Sequence, residues 1–504
     1  MKRPVETPAP AAPDPRPSLR RARSSVCLLA LTGAWFAWLG FAAPDGPAYA
    51  AAAATAPATQ AAQDASPLED LEHRTFAFFW ETTNPKNGLV PDRYPTPSFA
   101  SVAAVGFGLT AYPIGVERGY VSRAQAAERV LATLRFFRDA PQGPQAIHVT
   151  GYKGFYYHFL DMKTGLRFSP KVELSTIDTS LFMAGVLFCE GYFDRKEAAE
   201  TEIRRIADEL YRRVDWAWAS RSGGAVALGW TPERGFHPMI WRGYNEAMII
   251  YLLGLGSPSH PLADGAWQRW TESYGPAWRT GYGQTYLTFP PLFGHQFSHI
   301  WVDFRGVQDA FMREKGIDYF ENTRRATYAQ QAYAIENPMH WTGYGARLFG
   351  VSASDGPANL AIKRNGARRV FRRYAARGMG GAETYDDGTL SPTALVSSVP
   401  FAPEIVLPAV EEIKQHYGAV LSTYGFLDAF NPSFDIDVPV ASGQRIAGSG
   451  WVDCDYLGID EGSAIAMIEN YRSDLVWRVM RRSAYLRQGL GRAGFSGGWL
   501  DAKR

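Results

Sequence analysis

The sequence predicts an all-α protein, an (α/α)6 toroid of the six-hairpin barrel type, and three observations lead there. Amphipathic and wholly apolar helical stretches alternate along the chain, about six of each. Strand-type alternation of polar and apolar residues is almost absent. No internal linker divides the chain after residue 67. Helices with one polar face suit an outer ring, and helices apolar on every side suit an inner ring. The pattern also fits an irregular helical bundle, because no strict repeat imposes sixfold order.

The amphipathic stretches are 68–83, 122–140, 195–218, 318–337, 408–420 and 471–488, with apolar residues three and four apart and charges opposite. The apolar stretches are 101–117, 179–193, 246–256, 294–304, 392–399 and 463–471. Between them lie long Pro-, Gly- and Tyr-rich connections at 141–170, 219–243, 275–294, 340–392 and 430–460. Long ordered connections in a compact domain tend to carry function.

Residues 1–50 read as a secretory signal peptide. Lys2, Arg3, Arg16, Arg20, Arg21 and Arg23 precede the apolar run Val26–Ala43, and Ala48-Tyr49-Ala50 offers a small-x-small cleavage site. An uncleaved anchor is the alternative reading of the same run. Residues 51–67 form an alanine-rich, disordered tether, and 68–504 form one domain. Export implies a periplasmic or secreted protein with no membrane contact after cleavage. The segment 1–50 carries six basic and three acidic residues, so its removal takes the net charge from +2 to about −1. That balance excludes a nucleic-acid binder, and nothing in the sequence calls for more than a monomer. Cys189 and Cys454 remain, either bonded or free.

Three carboxylates open apolar helices: Asp178 in ELSTIDTSLF, Glu246 in YNEAMIIYLL and Asp460 in LGIDEGSAIAM. With inner-ring helices starting at one end, these acids converge. N-capping is the competing reading, strongest for Asp178 and weakest for Glu246. Paired carboxyls suit glycoside hydrolysis, in which one acid is protonated and the other ionised. Glu246, against an apolar helix, is expected to hold its proton through desolvation. Asp460, at a glycine-flanked helix start, is expected to stay ionised through free amides. Trp230, Trp241, Tyr244, Trp301, Trp341 and Tyr344 offer ring faces to sugars, and Arg242, Asn245, His295, His299, Asp303 and Arg305 offer polar groups. For a single Trp, core packing is the plainer reading.

No cofactor or metal is expected. His295 and His299 have i, i+4 spacing but lack the glutamate of a HExxH motif and a third ligand. Asp453, Asp455 and Asp460 resemble a calcium loop only loosely, since the twelfth position is Ala464. No nucleophile elbow, phosphate loop or dinucleotide fingerprint occurs in context.

The segments FAFFWETTNPKNGLVPDR (76–93), ELSTIDTSLFMAGVL (173–187), WRGYNEAMIIYLLGLGSPSHPL (241–262), HQFSHIWVDFRG (295–306), DDGTLSPTALVSSVPFAPE (386–404) and LGIDEGSAIAMIENYRS (457–473) resemble the bacterial glycoamylase-like proteins. That group contains the endo-β-1,2-glucanases of glycoside hydrolase family 144. The resemblance spans about residues 68–488. It implies an (α/α)6 barrel and inverting, endo-acting hydrolysis of β-1,2-glucan. It implies Glu246 as general acid acting through a substrate hydroxyl, Asp460 as base through a water chain, and Asp178 in the same pocket. Glu461 stands where the group has a small or amide residue, and so competes with Asp460 for the base or contacts substrate. Other readings are exo-release of disaccharide, glucoamylase-like action on another glucan, and a non-catalytic glucan-binding protein. A lyase for acidic sugars is disfavoured by the near-neutral charge.

Overall fold

The computed structural model describes residues 67–502, apart from 365–366 and 381–383. The signal segment 1–50 and tether residues 51–66 lie outside the described residues. Pro67, expected in the tether, opens the first helix.

The principal helices are α1 (Pro67–Thr82), α2 (Val102–Glu117), α3 (Arg123–Asp139), α4 (Thr176–Tyr192), α5 (Ala198–Arg213), α6 (Met248–Gly256) and α7 (Phe293–Trp301). They continue with α8 (Tyr319–Glu336), α9 (Pro392–Val396), α10 (Pro403–His416), α11 (Gly458–Ser473), α12 (Leu475–Met480) and α13 (Ala484–Arg492). Local sequence sets their starts. Ser101 accepts from the Ala104 amide, Ser122 and Gln125 form a capping box, and Asp318 accepts from the Glu321 amide. α5 buries Ile203, Ile206, Ala207 and Leu210, the single stripe of an outer helix. α6 is buried at every residue, as its sequence without a polar face requires.

The apolar helices pack on one another in chain order. α2 packs on α4, α4 on α6, α9 on α11, and α11 back on α2. Hydrogen bonds supply the remaining links. Ser298 of α7 donates to the Glu246 carbonyl (2.8 Å) and accepts from the Ile249 amide (3.1 Å). Gln296 of α7 donates to the Ala394 carbonyl of α9 (2.7 Å). The middle is filled by side chains: Trp301 of α7 donates to Thr110 of α2 at 3.0 Å. Outside, α3 packs on α5, α5 on α4, α10 on α9 and α1 on both α2 and α11.

The all-α expectation needs correction. The long connections carry short strands of two to five residues. A five-stranded antiparallel sheet runs β1 (Gly151–Tyr152), β2 (Phe155–Tyr157), β3 (Leu174–Ser175), β4 (Gly229–Thr231) and β5 (Gly235–Phe236), with Tyr156 opposite Ser175 and Leu174 opposite Trp230. Strands this short show too few alternations to register as a period. Arg93–Tyr94 pairs with Tyr456–Leu457, fastening the α1–α2 connection to the start of α11. The stretch 471–488 breaks at Asp474, whose left-handed backbone (φ 59°) separates α11 from α12. Cys189 and Cys454 are both free. Among the described residues, no helix is long and apolar enough to cross a membrane.

The α2–α4 contact is made backbone to backbone. A Cβ on Gly106 would stand 2.4 Å from the Leu181 carbonyl oxygen, and one on Gly185 would stand 2.1 Å from the Gly106 carbonyl oxygen. Neither obstacle is a side chain that can swing away. Gly185→Ala is therefore expected to destabilise the fold by about 2–3 kcal/mol, measured by urea unfolding. An unchanged midpoint would show that the two helices separate freely.

Candidate active site

A pocket opens where the apolar helices begin. Its lining includes Ala103 at the start of α2, Asp178 in the first turn of α4, Glu246 just before α6, Phe293 at the start of α7 and Ile459 at the start of α11. Five helix N-termini thus meet at one place, as the sequence pattern anticipates.

β3 leads straight into α4 and delivers Asp178. Ser175 caps the helix, taking the Asp178 amide at 3.2 Å while its hydroxyl donates to the Asp178 carboxylate. The capping role expected for Asp178 falls to Ser175. His158, just past β2, stands with Nε2 at 3.4 Å from Asp178 Oδ1 and Nδ1 at 2.8 Å from Glu173 Oε1. Burial opposes charge on the imidazole, but Asp178 and Glu173 outweigh it and push its pKa up to about 9. Burial also raises the Asp178 carboxyl, partly offset by His158 and Ser175.

Glu246 sits in the turn entering α6. Asn245 Oδ1 accepts from the Ala247 amide at 2.9 Å and shapes that turn. Glu246 Oε2 is buried without a hydrogen-bond partner. Burial, backed by the charge of Asp178, raises its pKa to about 7, although its own backbone amide pulls the other way. A carboxyl of this kind keeps a transferable proton near neutrality.

Asp460 departs from expectation. It lies in the first turn of α11 but is buried, and its neighbour Ile459, not Asp460 itself, is among the residues lining the pocket. Burial, with Glu461, Asp355 and Asp92 nearby, raises its pKa, and a hydrogen bond with the Asp428 carboxyl only partly compensates. Glu461 is more deeply buried still, and desolvation pushes its carboxyl well above the usual range. Asp92 feels the charge of Asp178 and acts in turn on Asp460, which places it near both.

The aromatic and polar candidates divide. Trp241, Arg242, Tyr244 and Asn245 line the pocket beside Glu246. The Trp241 indole donates to Thr176 at 3.0 Å, which fixes its ring. His295 stands one layer back, with Nδ1 at 3.2 Å from the Tyr244 hydroxyl and Nε2 at 3.0 Å from the Phe289 carbonyl. His299 bonds Thr323 at 3.1 Å. Burial lowers the two imidazoles to about 4 and about 3, which keeps both neutral, and neither is among the residues lining the pocket.

The other candidates do not line this pocket. Trp301 is core. Asp303 and Arg305 bond each other at 2.8 Å beyond the far end of α7 and are tied to Arg481 and Asp474. Trp341 is buried beneath the Arg369 guanidinium, and Tyr344 donates to Asp386 at 2.9 Å. Trp230, on the five-stranded sheet, packs tilted against Tyr152 and edge-on against Trp218. All six lie near Gly-rich connections in the sequence, but packing and hydrogen bonds hold the rings elsewhere and an ion-pair network holds Asp303 and Arg305. His158, Glu173 and Asp92 went unnoticed. The signal available for His158 was a lone imidazole inside the apolar run FYYHFL.

Helices apolar on all sides, opening at one end on a pocket with a proton-holding carboxyl, define a helical scaffold of the kind found in solved glucanases. Residues 238–484 match the Glycoamylase family model, described as "Putative glucoamylase". It is 26% identical over 456 residues to the exo β-1,2-glucooligosaccharide sophorohydrolase (non-reducing end) of Parabacteroides distasonis, covering 85% of this chain. The match spans 57% of that curated relative's length. The crystal structure of a "putative glucoamylase" from Bacteroides uniformis superposes with a TM-score of 0.73 at 29% identity, over 86% of this chain and 98% of that one. An endo-β-1,2-glucanase from Chitinophaga pinensis, in complex with sophorotriose and glucose, gives 0.72 at 27% identity, with the same two coverages of 86% and 98%.

Glu246 has a consequence for stability. Its pKa rises from 4.5 to about 7 on folding, so the folded state binds more protons in that window and stability falls as pH rises through it. The full effect is about 3 kcal/mol. Glu246→Gln removes the titration. The variant is expected to unfold at higher urea than the parent at about pH 8, with the gap closing towards pH 4.5. Parallel pH dependence in the two proteins would show that Glu246 carries no such strain.

Proposed function

We propose that the chain is an exported glycoside hydrolase acting on a neutral β-glucan, foremost an endo-acting, inverting hydrolase of β-1,2-glucan. The observation that carries this reading is Glu246: a part-buried side chain with one buried, bare oxygen, a pKa raised to about 7 and Asp178 in the same pocket. Glu246 is the general acid, acting through a substrate hydroxyl. Asp460 is the base, reaching the sugar through water, since it lies one residue from the pocket-lining Ile459. Asp178, held by Ser175 and His158, shapes the field around the acid. Trp241 and Tyr244 present rings to a sugar, and Arg242 and Asn245 present donors to its hydroxyls.

The cyclic order of helix contacts supports reading the inner helices as a closed (α/α)6 toroid within a single domain beginning near residue 67. The segment 1–50 supports export to the periplasm or beyond. Likeness to the C. pinensis endo-glucanase supports the substrate class. Likeness to the P. distasonis sophorohydrolase favours a second reading, exo-release of disaccharide.

Incubation with linear β-1,2-glucan, β-1,3-glucan, starch and an acidic polysaccharide, with products resolved by size, separates these readings. A ladder from β-1,2-glucan alone is expected. A single disaccharide would favour the exo reading, and no product from any substrate would reject the enzyme. Glu246→Gln and Asp460→Asn are each expected to lower kcat by about 10²–10⁴-fold. Near-normal turnover in either would remove that residue from its role. Activity of the parent is expected to fall as pH rises through about 7, as Glu246 loses its proton.

A further inference from the structure

Apart from the Glu246 pocket, three connections bring carboxylates together. Asp355 ends the strand Ala353–Asp355, Asp428 precedes the strand Phe430–Asn431, and Asp453 follows the strand Gly450–Val452. All three are buried, and one carboxylate oxygen from each lies within 4.8 Å of the others. Oxygens gathered that closely can share one hard cation such as calcium. From this juxtaposition and the bare oxygens within it, we propose that Asp355, Asp428 and Asp453 form a divalent-cation site selective for calcium.

The hydrogen-bond inventory points to a missing partner. Asp428 Oδ2 accepts from the Asp355 amide at 2.7 Å, while Oδ1 is buried with no donor, and the carboxyl lies within hydrogen-bonding reach of a further acid, Asp460. Asp453 Oδ1 accepts from the Ser442 hydroxyl at 2.7 Å and the Cys454 amide at 2.8 Å, while Oδ2 is buried with none. In each residue the protein orients one oxygen and leaves the other bare. Asp428 and Asp453 are 0% and 2% exposed, so solvent does not serve those oxygens. Arg93 reaches Asp355 at 2.7 Å but also stands 3.5 Å from Asp455 and 3.6 Å from Asp92, so one guanidinium is spread over several acids. An uncompensated buried carboxylate is costly, and either protons or a cation must neutralise it.

The donor set is oxygen throughout, which suits a hard cation and not zinc or copper. Three protein oxygens leave coordination positions for waters, and Asp453 also lines a cavity of about 610 Å³ together with Tyr424 and Gln444. The cation joins three loops from distant parts of the chain. Its charge also lies beside Asp460, through the shared neighbour Asp428. Sequence spacing did not reveal the site, because its ligands stand in three separate loops rather than one.

The test uses the purified mature chain, dialysed against chelator and then against metal-free buffer. Titration with calcium chloride is followed by calorimetry and by the melting temperature. One calcium per chain is expected, with a melting temperature that climbs with calcium concentration and a weaker response to magnesium. Asp453→Asn and Asp428→Asn are each expected to weaken calcium binding at least tenfold; the second variant serves if the first does not fold. No heat and no thermal shift up to about 10 mM calcium, above the range of weak extracellular sites, would overturn the proposal and leave protons as the neutralising charge. Calcium binding unchanged in both variants would also overturn it, by placing the ion elsewhere.

Discussion

A helix without a polar face has to be enclosed along its whole length, and most of this architecture follows from that constraint. α2, α4, α6 and α11 meet water almost nowhere along their sides, so amphipathic helices wrap them and their polar chemistry is confined to their ends. The starts of these helices offer free amides and turns that accept Ser, Asn, Asp and Glu. Carboxyls that would be intolerable midway along an apolar helix are tolerable there. The pocket is therefore less an addition to the fold than the one place where the inner helices allow a site.

The same enclosure sets the electrostatics. Asp178, Glu246 and Asp460 occupy equivalent positions in the sequence pattern, yet their surroundings differ. Asp178 has an imidazole and a serine hydroxyl, Glu246 has only its own amide, and Asp460 has other acids. Desolvation acts on all three, and what distinguishes them is how much is returned by neighbours. Asp92 and Asp355, both paired with Arg93, continue this series of acids, so the charge of any one carboxyl depends on the charges held beside it.

The helices and the convergence of their starts were legible in the sequence because both depend on hydrophobic period, a local property. Asp178 and Glu246 were legible for the same reason. The sheets were not, since strands such as Leu174–Ser175 are too short to show a period. Nor were the aromatic assignments: Trp301 and Trp241 have similar sequence surroundings, and only three-dimensional packing sends one to Thr110 in the core and the other to the pocket wall. Asp460 was located on the right helix turn but misjudged in charge, because its neighbours Asp428 and Asp355 come from loops dozens of residues away.

The pairing of Arg93–Tyr94 with Tyr456–Leu457 bears on the order in which the molecule can be built. It joins segments from near opposite ends of the described chain, and α11, which it anchors, is the helix that closes back on α2. Contacts of such sequence separation carry a large loop-closure cost and form late. A nascent chain lacking its last fifty residues can gather α2, α4 and α6 but has no partner for the open flank of α2. The cleft is thus completed only once α11 is in place.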